Sequence, residues 1–230
     1  MAQFRKDIHQ YLPDGKTIFE VMMLADQYGN LVGPANRSGM AVDAFGRART
    51  SSPLTLYDSF HRYQDNGKVG VYTAGGGTNS HDTNSSSILM TVGTASGDEV
   101  IRETNRVFAY QPGKSLQIFL TFVMNQAKTN LRQRVGYFNT QNGIFLQLND
   151  ATTAFVRRSY VSGSVVDTVV PQAEWNMDKL DGTGPSKKTL DMTKAQIFFM
   201  DIEWLGVGSV RCGFVIDGQL IHCHSFHHAN

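Results

Sequence analysis

The residues best equipped for chemistry crowd the end of the chain. The closing segment "RCGFVIDGQLIHCHSFHHAN" carries both cysteines, Cys212 and Cys223, with His222, His224, His227 and His228 after an Asp-Gly turn. Thiols and imidazoles at this density are the side chains of a redox or soft-metal site. An i, i+2 pair such as His222 and His224 would present two imidazoles on one face of a strand, half of a metal site. Hairpin geometry bears on that reading. With Asp217-Gly218 as a two-residue type I′ loop, Ile216 pairs with Gln219. The register then runs back through Gly213–His222 and Cys212–Cys223 to Arg211–His224. Cys212, Phe214, Ile216, Ile221 and Cys223 share an apolar face. The thiols form a hydrogen-bonded pair at the wide end of the cross-strand range of ~4.5–5.5 Å, beyond the ~3.8 Å a disulfide prefers. Both are expected buried and reduced, as small hydrophobes. His222 and His224 turn to the other face beside Arg211, whose charge repels a cation. No metal and no other cofactor is expected.

The second candidate, an acidic one, is "FFMDIEWLG". On a strand, Asp201 and Glu203 share one face while Phe198, Met200, Ile202 and Trp204 line the other. The stretch resembles the E-x-D-x-E strand of laminarinase-like glycoside hydrolases, which are jelly rolls whose outer two glutamates act as nucleophile and acid/base. Phe199 stands where the first of those glutamates belongs, so double displacement has no nucleophile here. Asp201 and Glu203 are expected as solvated acids on a concave sheet. With Trp204 they form the candidate glycan-contact set.

Other motifs lack a partner. In "LGVGSVRCG", Gly206 and Gly208 are followed by Arg211 and a strand instead of the third glycine and helix of a dinucleotide fingerprint. "TAGGGTNS" lacks the Lys of a phosphate loop. Ser162 and Ser164 flank one glycine in a β context and form no nucleophile elbow. His61 has Asp58 nearby and little else. Arg132, Arg134, Arg157 and Arg158 lie on strands with interleaved aromatics, a pattern open to nucleic acid or glycan. A net charge of +1 gives no global pull toward nucleic acid or an anionic membrane, so an inter-subunit contact or a solvated face is the expected use. No catalytic residue is assigned, and the chain is expected not to be an enzyme.

These residues need a scaffold, and its pattern is β. Helical periodicity is confined to the opening "RKDIHQYL", which ends at Pro13. Beyond it, short β-rich runs alternate with turn signals: "TIFEVMML", "SILMTVG", "RVFAY", "LQIFLTFVM", "QRVGYF", "GIFLQLN", "AFVRRSYV", "VVDTVV", "AQIFFMDIEW", "VRCGFVI" and "QLIHCHSF". The separators Gly29-Asn30, Pro112-Gly113, Asn142-Gly143, Asn149-Asp150 and Asp217-Gly218 suit tight turns. Residues 66–87, centred on Gly75, Gly76 and Gly77, read as a long polar loop. No apolar run approaches the roughly 18 residues a membrane span needs, and the N-terminus has no apolar core of a signal peptide. Two cysteines fit assembly in a reducing cytoplasm. The Gly/Ala/Ser/Arg-rich start reads as an extended arm over residues 1–50, followed by one antiparallel β-sandwich, a jelly roll, over residues 51–230.

"DAFGRARTSSPLTLYDSFHRY", "ASGDEVIRETNRVFAYQPGKS", "NLRQRVGYF", "PQAEWNMDKLDGTGPSKKTLD" and "IEWLGVGSVRCGFVIDGQLIHCHSFHHAN" together resemble a family of virion-associated structural proteins of marine and cyanobacterial tailed phages. "WNMDKLDG" and the terminal hairpin are also similar to concanavalin-like or laminin-G-like jelly rolls. The resemblance covers residues 43–230 and brings no catalytic residues. It implies a virion component assembled in the host cytoplasm, a capsid decoration, fibre, tail or neck protein. Its partners would be other copies of itself, as a trimer or pentamer, and other virion proteins, docked through the arm. Nucleic acid and membrane are not expected partners. A carbohydrate-binding jelly roll recognising host-surface glycan is the alternative, and a cupin-like metal enzyme using His222 and His224 is a third.

Overall fold

The computed structural model describes residues 54–111, 114–203 and 207–228, together with the backbone of four short strands nearer the N-terminus. Those four pair as hairpins: β1 (His9–Tyr11) with β2 (Ile18–Glu20), and β3 (Leu24–Ala25) with β4 (Leu31–Val32). The expected opening helix is thus corrected. Eight residues cannot support helix nucleation without a packed face, and His9–Tyr11 pair as a strand instead. The rest of the arm, and the boundary near residue 50, lie outside the described residues.

The chain forms two compact units, Met1–Arg106 and Val107–Asn230. In the first, β5 (Val69–Ala74) pairs with β8 (Glu99–Thr104), and β6 (Thr78–Asp82) with β7 (Ser87–Thr91). The expected polar loop over 66–87 therefore contains two strands. Both are rich in small and polar residues, which hides the apolar alternation that marks a strand. The three glycines turn the chain between them. Gly75 takes φ +56°, Gly77 N–H donates to the Ala74 carbonyl at 3.0 Å, and Gly76 N–H donates to Asp98 Oδ1 at 2.8 Å. A Cβ on Gly77 would sit 2.0 Å from the Glu99 carbonyl oxygen, so no other residue fits. None of residues 54–106 is buried.

The second unit holds β9 (Leu116–Phe122), β10 (Arg132–Phe138), β11 (Gly143–Asn149), β12 (Thr152–Ser159), β13 (Val166–Pro171), β14 (Gln196–Glu203), β15 (Ser209–Ile216) and β16 (Gln219–His227). They make two four-stranded antiparallel sheets, β10-β11-β12-β13 and β16-β15-β14-β9. The first is a run of hairpins. In the second, β9 pairs with β14 after the chain has passed through the other sheet. Ile144, Leu146, Leu148 and Phe155 from one sheet meet Phe198, Met200, Ile202, Val210, Cys212 and Phe214 from the other in one apolar cluster, the arrangement of a β-sandwich. Phe155 sits at its centre, 4.3 Å from the Trp175 ring and 5.7 Å from the Phe198 ring. "RVFAY" is not a strand: Tyr110 packs on the core from a loop, and the Phe108 carbonyl accepts the Tyr137 hydroxyl. A 3₁₀ turn at Gln172–Glu174 is the one helical element among the described residues, and no helix there is long and apolar enough to cross a membrane.

The segment after that turn is ordered by one buried carboxylate. Burial pushes Asp178 up, but it accepts the backbone N–H groups of Leu180 (2.9 Å) and Ser186 (2.7 Å), which hold it below the usual carboxylate range. Leu180, with φ +49°, is thereby seated in the core at zero exposure.

Candidate functional site

The terminal hairpin places the chemistry-bearing residues. Asp217 (φ +51°) and Gly218 (φ +74°) both take positive φ, the type I′ requirement, and Ile216 pairs with Gln219. The expected register holds to Gly213–His222 and then shifts. Cys212 pairs with His224, not Cys223, and Arg211 pairs with Ser225, not His224. Cys223 is the extra residue of a β-bulge. Its carbonyl leaves the ladder and accepts the N–H groups of Met177 (3.0 Å) and Asp178 (3.1 Å), tying the 176–190 segment to the sheet.

The bulge separates the two histidines. His224 turns inward and is 7% exposed, its ring edge-on to Phe226 at 4.6 Å and its Nδ1 accepting Asn176 N–H at 3.3 Å. His222 stays on the outer face, half-buried against Phe199 with ring centroids 5.0 Å apart. Burial lowers both pKa values, helped at His222 by Arg211 and at His224 by His227. Facing opposite ways, they cannot chelate one ion, and no cluster of three metal-ligating groups occurs among the described residues. Cys212 and Cys223 are free and buried, their thiol pKa values pushed up by loss of hydration.

Asp201 corrects the expectation of a solvated acid. It is 1% exposed, and Arg211, directly opposite on β15, places Nη2 at 3.4 Å from its Oδ2. Glu203 ends β14 half-buried across from Ser209, and Trp204 lies outside the described residues. Asp201 is therefore a buried partner of Arg211 and not a solvated acid. That arginine, with Asn176, Met177, Ser225 and His227, lines a cavity of about 280 Å³. Asn176 is anchored to the rim of the sheet, its Nδ2 donating to the Ser225 carbonyl at 3.0 Å and its Oδ1 accepting Ser225 N–H at 2.9 Å. His227 Nδ1 is hydrogen-bonded to Ser209 Oγ at 2.8 Å. A guanidinium, an amide and an imidazole make a lining suited to polyols and carboxylates. Sequence reasoning missed Asn176 and Ser225 and gave His227 no role. Only the bulge brings Ser225 beside Arg211, and Asn176 arrives from 49 positions away.

The arginines divide by strand parity. Arg157 faces inward over the Phe226 ring at 6.0 Å. Arg132, Arg134 and Arg158 share the outer face of β10–β13 with Phe138 and Phe145. The Arg134 guanidinium lies 5.5 Å from the Phe138 ring and 5.9 Å from Phe145, and Arg158 lies 5.4 Å from Phe145. Phe145 is 1% exposed beneath them. Arg158 grips Asp167 of β13 with two bonds of 2.8 Å. That pairing, with Arg132 and Arg134 near, holds the Asp167 carboxyl below its usual range. Arg158 is thus neutralised by Asp167, and Arg132 and Arg134 act on that carboxylate through their field. Ser162 and Ser164 sit exposed in the β12–β13 loop, and a strand, β15, follows Gly208 directly. His61 Nδ1 lies 3.7 Å from Asp65, while Asp58 instead neighbours Lys68 at 3.5 Å.

No known protein family, curated protein or solved structure matches the chain.

Proposed function

We propose that the chain is a non-enzymatic structural protein of a phage particle, a jelly roll that self-associates and docks through its N-terminal arm. The first unit carries this reading. Its two-stranded ribbons expose Val71, Tyr72, Leu89, Met90 and Ile101 and bury none of residues 54–106. Isolated two-stranded ribbons are marginal in water, so such a unit is suited to being covered by neighbours. The phrases resembling virion-associated proteins support the same reading. It fits a ring of three or five copies, assembled in the host cytoplasm and carried on the virion. Light scattering on the purified chain and mass spectrometry of purified particles test it. A monomer at all concentrations, absent from particles, would sink it.

The cavity beside Arg211 favours a second reading, a jelly-roll adhesin binding a host glycan. His227→Ala should abolish any signal on a glycan array while leaving the melting temperature within about 1 °C, since His227 is exposed. An array with no signal for the unsubstituted chain removes this reading.

A further inference from the structure

We infer that the cavity beside Arg211 takes a neutral polyol the size of a single sugar ring, with the Ser225 hydroxyl as its central contact; this deepens the adhesin reading above and rests on it. Ser225 is 6% exposed, and its Oγ has no hydrogen-bond partner among the described residues. A buried hydroxyl left without a partner costs stability, and few such groups persist in folded proteins. The β-bulge puts this one at the cavity. Ser225 pairs with Arg211, shares its face of the sheet and lines the cavity with it. Asn176 fixes the Ser225 backbone from both sides, accepting its N–H at 2.9 Å and donating to its carbonyl at 3.0 Å. The hydroxyl is thus held in place with both its donor and its acceptor capacity unspent, which matches another hydroxyl. Charge narrows the ligand further. Arg211 already faces the Asp201 carboxylate at 3.4 Å, so it brings no net charge to an anion. Among the described residues the remaining lining is an amide, a thioether and an imidazole, from Asn176, Met177 and His227. Beyond its two bonds to Ser225, Asn176 keeps one Nδ2 hydrogen and one Oδ1 lone pair for a ligand. Met177, 42% exposed, offers apolar surface to the C–H face of a sugar. At about 280 Å³ the cavity lies just under the ~300–1,000 Å³ of sites that enclose larger molecules, which suits one ring.

The test uses the full chain and saturation-transfer NMR, with the methyl glycosides of glucose, galactose and mannose as probes and methyl glucuronide as the charged control. At least one neutral glycoside should receive saturation and should displace the glucuronide. Ser225→Ala should weaken that binding about tenfold and, in the unliganded chain, raise the melting temperature by about 2–6 °C, since it removes a buried group that has no partner. Binding and stability moving in opposite directions is the signature of a hydroxyl kept for a ligand. A Ser225→Ala chain that binds as the original does, or that melts at the same or a lower temperature, shows a hydroxyl satisfied by water or protein and overturns the inference. Binding confined to the glucuronide, or an array signal confined to acidic glycans, also overturns it while the adhesin reading stands. No saturation of any glycoside together with a silent glycan array overturns both.

Discussion

The two units reach order by opposite means. The second encloses sixteen buried residues between two sheets, with stacked rings of Phe155, Trp175, Phe198 and Phe214 at the centre. The first, over residues 54–106, is arranged by polar contacts. Arg102 holds both oxygens of Asp65 at 2.8 and 3.0 Å and reaches Asn79 Oδ1 at 2.9 Å, while Asp98 clamps the Gly75–Gly77 turn. Apolar burial stabilises in proportion to area, whereas a partly exposed ion pair contributes little net free energy because both charges leave good solvation behind. Polar networks position strands precisely enough to present Tyr72 and Ile101 outward. They do not supply the stability of a core. The difference gives the second unit a core of its own and leaves residues 54–106 of the first without one.

The largest effect that tests this contrast is Phe155→Ala. The side chain is fully buried, and its loss leaves a cavity that the flanking rings cannot fill, at a cost of about 3–5 kcal/mol. Denaturant unfolding followed by Trp175 fluorescence in a Trp204→Phe background should show it. Hydrogen exchange over residues 69–104 should be unmoved, and a parallel loss of protection there would break the comparison. Arg102→Met should cost less, about 1–2 kcal/mol, because Asp65 is a third exposed and regains water when its partner is gone. Its signature is faster exchange and proteolysis within residues 58–104, with the Trp175 transition unchanged. A shifted Trp175 transition would show that the polar network supports the core as well.

The same contrast decides what was legible in the sequence. Strands of the second unit announce themselves because their apolar residues alternate: "LQIFLTFVM" and "AQIFFMDIEW" lie within a residue or two of β9 and β14. "VGVYTA" and "TNSHD" carry no such alternation, since their order comes from Arg102 and Asp98 many positions away. The hairpin register from Ile216 to Gly213 follows from turn chemistry, which is local. The bulge at Cys223 does not, because it depends on Met177 and Asp178 donating to its carbonyl from another part of the fold. That single residue reverses His224, brings Ser225 to the cavity and undoes the apparent histidine pair. Arginine parity was readable in principle, as Arg157 and Arg158 must face opposite ways. That Asp167 waits opposite Arg158 needs the length of the β12–β13 loop.

The smallest effect concerns protons, and it is read most directly in the second unit. His222 and His224 in the second unit, and His61 in the first, all have folded pKa values lowered chiefly by burial. Above about pH 6.5, the unperturbed histidine value, each imidazole is neutral folded or unfolded and contributes no pH dependence. As pH falls below it, the unfolded chain binds protons that the folded imidazoles refuse, so stability drops with acid until the folded values are reached. At His61 the nearby Asp65 carboxylate opposes the lowering, while Arg102 and His81 add to it. The Trp175-monitored midpoint should therefore fall between pH 7.5 and 5.5, above the range where ordinary carboxylates titrate. His222→Gln with His224→Gln should flatten that slope. An undiminished slope in the double variant would assign the acid sensitivity to groups outside the bulged hairpin, and the inward turn of His224 would lose its energetic consequence.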